Sequence, residues 1–123
     1  MHPRGFLAQE LADLLEALGE RALNLQWECR NVEVSGGEKA QDLYSLDDNK
    51  LRVSGTQLLE VARGITQTIE GTFVGFDAAG AMSMVIKNIR GSLWEVFGKR
   101  ADLRNMRKSF RDVRDSQYEE PYN

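Results

Sequence analysis

The chain has 123 residues, of which 41% are hydrophobic and 28% are charged, and its formal net charge is −3. Residues 1–60 carry 6 basic and 11 acidic side chains, whereas residues 61–123 carry 10 basic and 8 acidic ones. This length suits one domain with its own core. The single cysteine excludes an internal disulfide and favours a reducing, cytoplasmic location. No apolar run reaches the roughly eighteen residues of a membrane span.

The first predicted element is a helix over residues 6–18, which Gly19 ends. Its apolar positions recur at the spacing of one helical face: Leu7, Leu11, Leu14, Leu15 and Leu18. Residues 23–29 then alternate between apolar and polar side chains, which predicts a half-buried strand. The alternation changes phase at Asn31, so we expect a bulge or a change of face there.

A polar loop over residues 35–42 precedes the next predicted structure. Two short apolar runs, 43–46 and 51–53, flank the polar segment 47–50. This arrangement predicts a hairpin with a four-residue turn.

A second helix is predicted from a capping box, in which Ser54 and Gln57 each satisfy a backbone donor at the helix start. Apolar residues continue at helical spacing to Ile69, and Gly71 is the expected end. Gly64 is unusual inside such a helix, and close packing against a strand would explain it.

Three antiparallel strands are predicted over residues 72–77, 81–89 and 92–97, because short turns connect them. A last helix is predicted over about 101–113, from the spacing of Leu103, Met106, Phe110 and Val113. The chain is therefore expected to be an α+β protein: an antiparallel sheet of five to six strands with three packed helices, in the order α-β-β-β-α-β-β-β-α. Residues 1–115 would form one domain, followed by a flexible tail over 116–123.

Candidate catalytic residues are scarce. Cys29 shares the apolar phase of its strand, and the one histidine is His2, so we expect a buried, inert thiol rather than a nucleophile with a base. Four carboxylates could form an acid and base pair in an alternative reading as a small enzyme or ligand-binding domain: Glu28, Glu33, Glu70 and Glu95. The nearest match to a metal loop, 47–49, lacks the spacing of a calcium site. We expect no catalytic residue, no cofactor and no resident metal.

The last helix supports an alternative function. Its basic side chains could contact a phosphate backbone, although a pI of about 5.2 ranks nucleic acid below a protein partner. The candidate nucleic-acid-binding residues are Arg100, Arg104, Arg107, Lys108 and Arg111.

The segments 67–76, 93–96 and 110–114 resemble small bacterial immunity proteins of polymorphic and contact-dependent toxin systems. The resemblance covers about the last half of the chain and carries no site residue. It implies a non-enzymatic protein that binds and neutralises a cognate toxin with a basic surface. Acidic side chains attract such surfaces, and aromatic residues anchor interfaces. The predicted partner-binding residues are Glu33, Glu38, Asp42, Tyr44, Asp47, Asp48 and Trp94. No membrane partner is expected, and strand edges at 43–46 or 92–97 could pair in a homodimer.

Overall fold

The computed structural model describes the backbone of residues 2–7, 10–91, 93–109 and 114–115, and the side chains of residues 10–91 and 93–108. Five helices lie in these ranges: α1 (Leu11–Leu18), α2 (Glu20–Leu23), α3 (Ala40–Asp48), α4 (Gly55–Arg63) and α5 (Arg100–Ser109). The strands there are β1 (His2–Leu7), β2 (Gln26–Ser35), β3 (Arg52–Ser54), β4 (Gln67–Phe76), β5 (Met82–Ile89), β6 (Leu93–Gly98) and β7 (Arg114–Asp115). The predicted tail over 116–123 lies outside the described residues.

The strands form one antiparallel sheet in the order β3-β2-β4-β5-β6-β1-β7. Five strands have six or more residues, and β3 and β7 are short. Two hairpins join the central strands, and the second turns at Arg90 and Gly91, which both have positive φ. The α+β class and the antiparallel sheet are therefore confirmed.

The predicted hairpin at 43–46 and 51–53 is wrong. Residues 40–48 form helix α3, and only 52–54 is a strand. Leu43 and Leu46 stand three positions apart, which places them on one face of a helix but on opposite faces of a strand. Packing decides between them, because a helix lets Leu43 reach the core, where its exposed fraction is 0%.

The N-terminal boundary of the first helix also differs. The helix begins at Leu11, and its predicted end at Gly19 is confirmed, with φ of +64° at that glycine. Residues His2–Leu7 form β1 instead, paired with β6. The signal for β1 is weak because Pro3 and Gly5 interrupt the run, so pairing with a distant strand determines its conformation.

Helix α4 begins with the predicted capping box, in which Ser54 Oγ accepts from the backbone N–H of Gln57 at 3.2 Å. It ends at Arg63 rather than near Gly71, and β4 begins at Gln67. Gly64 is the residue that follows the helix. A Cβ there would lie 2.2 Å from Cγ of Lys39, so the glycine permits contact with the start of α3 rather than with a strand.

The main core lies on one face of the sheet, against the helices. It joins apolar side chains of α1, α3, α4 and α5 to the inward side chains of the strands, which include Trp27, Phe73, Ile86, Trp94 and Val96. A smaller cluster occupies the other face: Val74, Phe76, Val85 and Phe97. In α5, Leu103 and Met106 are buried as predicted, whereas Phe110 and Val113 lie outside the described residues.

Candidate protein-binding site

Strand β2 and helix α3 form the frame of the candidate site. The register of β2 against β4 shifts between Arg30 and Glu33, and Asn31 has φ of +52°, so the expected bulge is present. Strand β3 pairs with residues 26–28 of β2, and α3 packs along the same strand. Helix α3 therefore covers the part of β2 that β3 does not pair with.

Two side chains of α3 bond to the backbone of β2. The carboxylate of Asp47 accepts a hydrogen bond from Val32 N–H at 2.7 Å. The hydroxyl of Tyr44 accepts from Val34 N–H and donates to the Val34 carbonyl, both at 3.0 Å. These bonds satisfy backbone groups on the side of β2 that β3 does not reach, and they fix the position of α3.

An open groove of about 380 Å³ lies between α3 and α4. Each helix contributes side chains three or four positions apart, which is the spacing of one helical face. The lining residues are Lys39, Asp42, Ser45 and Leu46 from the α3 side, Val53 from β3, and Gln57, Glu60 and Val61 from α4. The groove therefore combines an apolar floor, made by Leu46, Val53 and Val61, with polar and charged walls.

The charged walls are open to solvent. Lys39 Nζ lies 3.6 Å from Asp42 Oδ2, with exposed fractions of 38% for the lysine side chain and 57% for the aspartate side chain, so this pair stabilises the fold very little. Glu60 is exposed and makes no ion pair with any described residue. Both carboxylates can therefore accept a cation from a partner.

An exposed apolar residue stands beside the groove. Leu51 lies in the turn between α3 and β3, its backbone N–H donates to the Leu46 carbonyl at 3.1 Å, and its exposed fraction is 51%. An exposed leucine next to an apolar groove extends the surface that a partner could cover.

The predicted partner-binding residues are spread around α3 rather than at a hairpin tip. Asp42 lines the groove, Asp48 is exposed on the same helix, and Glu38 is exposed just before it. Asp47 and Tyr44 are partly buried against β2, as described above. Sequence reasoning missed the other groove residues, because their proximity depends on α3 being a helix.

Two other predicted partner contacts lie elsewhere. Glu33 is exposed on β2, directly opposite Glu70 on β4. Trp94 has an exposed fraction of 0% and stacks obliquely on Phe73, with ring centroids 6.5 Å apart, so it belongs to the core.

The segments expected to offer free strand edges do not do so. Residues 43–46 are helical, and β6, which contains 93–97, lies between β5 and β1. A homodimer stays a prediction, but neither of these two segments offers it a free strand edge.

The candidate nucleic-acid-binding residues stand on α5. Arg100, Arg104, Arg107 and Lys108 are all exposed. Arg111 lies outside the described residues.

The remaining candidate groups, one thiol and two carboxylates, are buried or paired within the fold. Burial, with smaller effects of Asp47 and Glu28, raises the pKa of the Cys29 thiol to about 12. Burial acts against the charge of Glu28, but hydrogen bonds and charges of Arg30 and Arg52 outweigh it and lower its pKa. Glu95 is 1% exposed on β6, opposite Lys87, and its carboxylate oxygens accept no hydrogen bond from the described residues.

Metal-ligand clusters and membrane-spanning helices are both absent from the described residues. Nowhere in these ranges do three or more His, Cys, Asp or Glu side chains group as metal ligands would. No described helix has both the length and the apolar character needed to cross a membrane. The chain matches no protein-family model, no curated protein and no solved structure.

Proposed function

We propose that this protein is a non-enzymatic binding module that neutralises a cognate bacterial toxin in the cytoplasm, and that the groove between α3 and α4 is its contact surface. The observation that carries the proposal is the combination of an apolar floor with two available carboxylates, beside the exposed Leu51. An apolar centre inside a polar rim is the usual anatomy of a protein interface.

The chemistry of the groove favours a lysine or arginine side chain of the partner. Its aliphatic stem would lie on Leu46, Val53 and Val61, and its charged head would reach Asp42 or Glu60. Because Lys39 pairs with Asp42 only at the surface, a partner's cation can displace it at little cost. A basic toxin surface would also associate faster with this acidic end of the molecule.

The experiment compares three baits in a pull-down from the source organism: the natural chain, Glu60→Lys and Glu20→Lys. Glu20 is an exposed residue of α2 and provides a control with the same change of charge. Each captured protein is then expressed in bacteria with and without each variant, and growth is measured. We expect a captured protein that arrests growth, and we expect relief by the natural chain and Glu20→Lys but not by Glu60→Lys.

Two results would contradict the proposal. If the captured protein does not affect growth, the natural chain that captured it is not a toxin inhibitor. If Glu60→Lys captures and neutralises the toxin as well as the control does, the groove is not the contact surface.

A further inference from the structure

We propose that the exposed basic face of α5 binds the phosphate backbone of a nucleic acid. This surface is distinct from the α3–α4 groove, and the inference does not depend on the proposed toxin partner. It rests on the arrangement of charges that the fold produces along this helix.

The acidic residue of α5 is turned away from solvent. Asp102 has an exposed fraction of 0%, and its carboxylate accepts from Arg21 Nε at 3.1 Å, from Arg21 Nη2 at 3.2 Å and from the backbone N–H of Lys99 at 2.9 Å. Arg21 in turn donates to Ser83 Oγ at 2.9 Å, which links α2, β5 and α5. The charge of Asp102 is therefore neutralised inside the fold and does not offset the basic residues outside.

The basic residues share one face of the helix. At 100° per residue, Arg100, Arg104, Arg107 and Lys108 fall within about a quarter to a third of the helical circumference. Leu103 and Met106 lie at about 90° and about 150° from the centre of this arc, and both are buried. Eight residues of rise separate Arg100 from Lys108, which is about 12 Å. One nucleic-acid strand advances about 3.4 Å per phosphate along the axis, so this face can reach about three phosphates.

The position of α5 separates it from the acidic residues of α3. The helix packs on α1, β6 and β1, whereas α3 packs on β2 and α4, and the strands β4 and β5 lie between β2 and β6. Phosphate is attracted to α5 and repelled from the α3 end. This separation explains how a chain with net charge −3 can present a cationic binding face.

The composition of the face favours nucleic acid over a membrane. An interfacial helix inserts its apolar side chains into lipid, but those of α5 are already committed to the core. Three of the four exposed cations are arginines, whose planar guanidinium groups bind phosphate through two parallel hydrogen bonds.

The test is a fluorescence anisotropy titration with labelled single-stranded and duplex oligonucleotides, as DNA and as RNA, at several salt concentrations. If about three phosphates are contacted, affinity for a duplex should fall about 40-fold between about 50 and about 200 mM salt. The variant Arg104→Gln/Lys108→Gln should lower affinity at low salt at least about tenfold and reduce the salt slope by roughly two units.

A matched control changes charge elsewhere. Lys50→Gln/Arg63→Gln removes two positive charges from the α3–β3 turn and from α4, and it should lower affinity less than about threefold by the general charge effect. Circular dichroism melting shows whether both variants fold. The inference is overturned if no oligonucleotide binds at low salt, if the control loses as much affinity as the α5 variant, or if anionic phospholipid vesicles bind through α5 while oligonucleotides do not.

Discussion

The Asp47 carboxylate of α3 holds the Val32 N–H of the β2 bulge at a distance of 2.7 Å. A bulge leaves a backbone donor without a strand partner, and here a side chain from the neighbouring helix replaces that strand. Asp47, which was predicted to contact a partner because it is acidic, therefore contributes to the stability of the fold.

The first prediction concerns this contact. Asp47→Ala should lower the free energy of unfolding by about 1–3 kcal/mol, because it leaves a partly buried N–H without an acceptor. Asp48→Ala, at an exposed position on the same helix, should change it by less than about 0.5 kcal/mol. Urea denaturation measures both, and equal effects of the two variants would show that the hydrogen bond does not support the bulge.

A second prediction concerns Arg21 and Asp102. Arg21→Met should destabilise the fold by about 3 kcal/mol, because it leaves a fully buried carboxylate without its cation. The double variant Arg21→Met/Asp102→Asn no longer carries that uncompensated charge. Its loss in free energy of unfolding should therefore be smaller than the sum of the losses in the two single variants. A double-mutant cycle by urea denaturation measures this coupling, and simple additivity would contradict it.

The thiol of Cys29 should be unreactive in the folded chain. Its pKa of about 12 means that about one thiol in 10⁴ is ionised at pH 8, and the side chain is only 2% exposed. We expect a negligible rate with an aromatic disulfide reagent until denaturant is added. Asn49→Cys, which introduces a thiol at an exposed turn, should react rapidly with one equivalent in the folded state. A similar rate for the natural Cys29 would contradict its burial.

Glu10 should give stability a measurable pH dependence. Burial raises its pKa above 4.5, although Thr68 donates two hydrogen bonds to the carboxylate that act in the opposite direction. The folded chain therefore takes up this proton more readily than the unfolded chain. The favourable contribution of Glu10 is complete below pH 4.5 and is lost as pH rises through the raised pKa.

The variant Glu10→Gln keeps an oxygen acceptor for Thr68 and removes this titration. Its free energy of unfolding, relative to the natural chain, should rise between about pH 3 and about pH 7. Glu28→Gln provides the opposite control, because Arg30 and Arg52 lower the pKa of Glu28 and stabilise its charged form. The free energy of unfolding of Glu28→Gln, relative to the natural chain, should fall between about pH 3 and about pH 7. If this relative free energy changes in the same direction for both variants, the assignment of the two pKa shifts is contradicted.

The elements that the sequence predicted well are those with local signals. The capping box of Ser54 and Gln57 identified the start of α4, and the phase change at Asn31 identified the bulge. Short turns likewise identified the β4–β5–β6 meander. Each of these features depends on residues within a few positions of one another.

The features that were missed depend on distant contacts. The short run 43–46 could be a strand or a helix by its sequence, and burial of Leu43 in the core favours the helix. Strand β1 depends on pairing with β6 and β7, which lie far away in the chain. The groove joins side chains of α3, β3 and α4, so an error at α3 alone hides it. Of the predicted contacts, Asp42 lines the groove.

The position of β1 also constrains the order in which the molecule is assembled. Leu7 pairs with Leu93, 86 positions later in the chain, so this strand leaves the ribosome long before its neighbour exists. Hairpins β4–β5 and β5–β6 can close during synthesis, but one edge of β6 stays uncovered until the early segment returns to it. Such distant pairing slows folding, and an uncovered edge invites pairing with other chains. The nascent protein is therefore most prone to aggregate in the interval between synthesis of β6 and docking of β1.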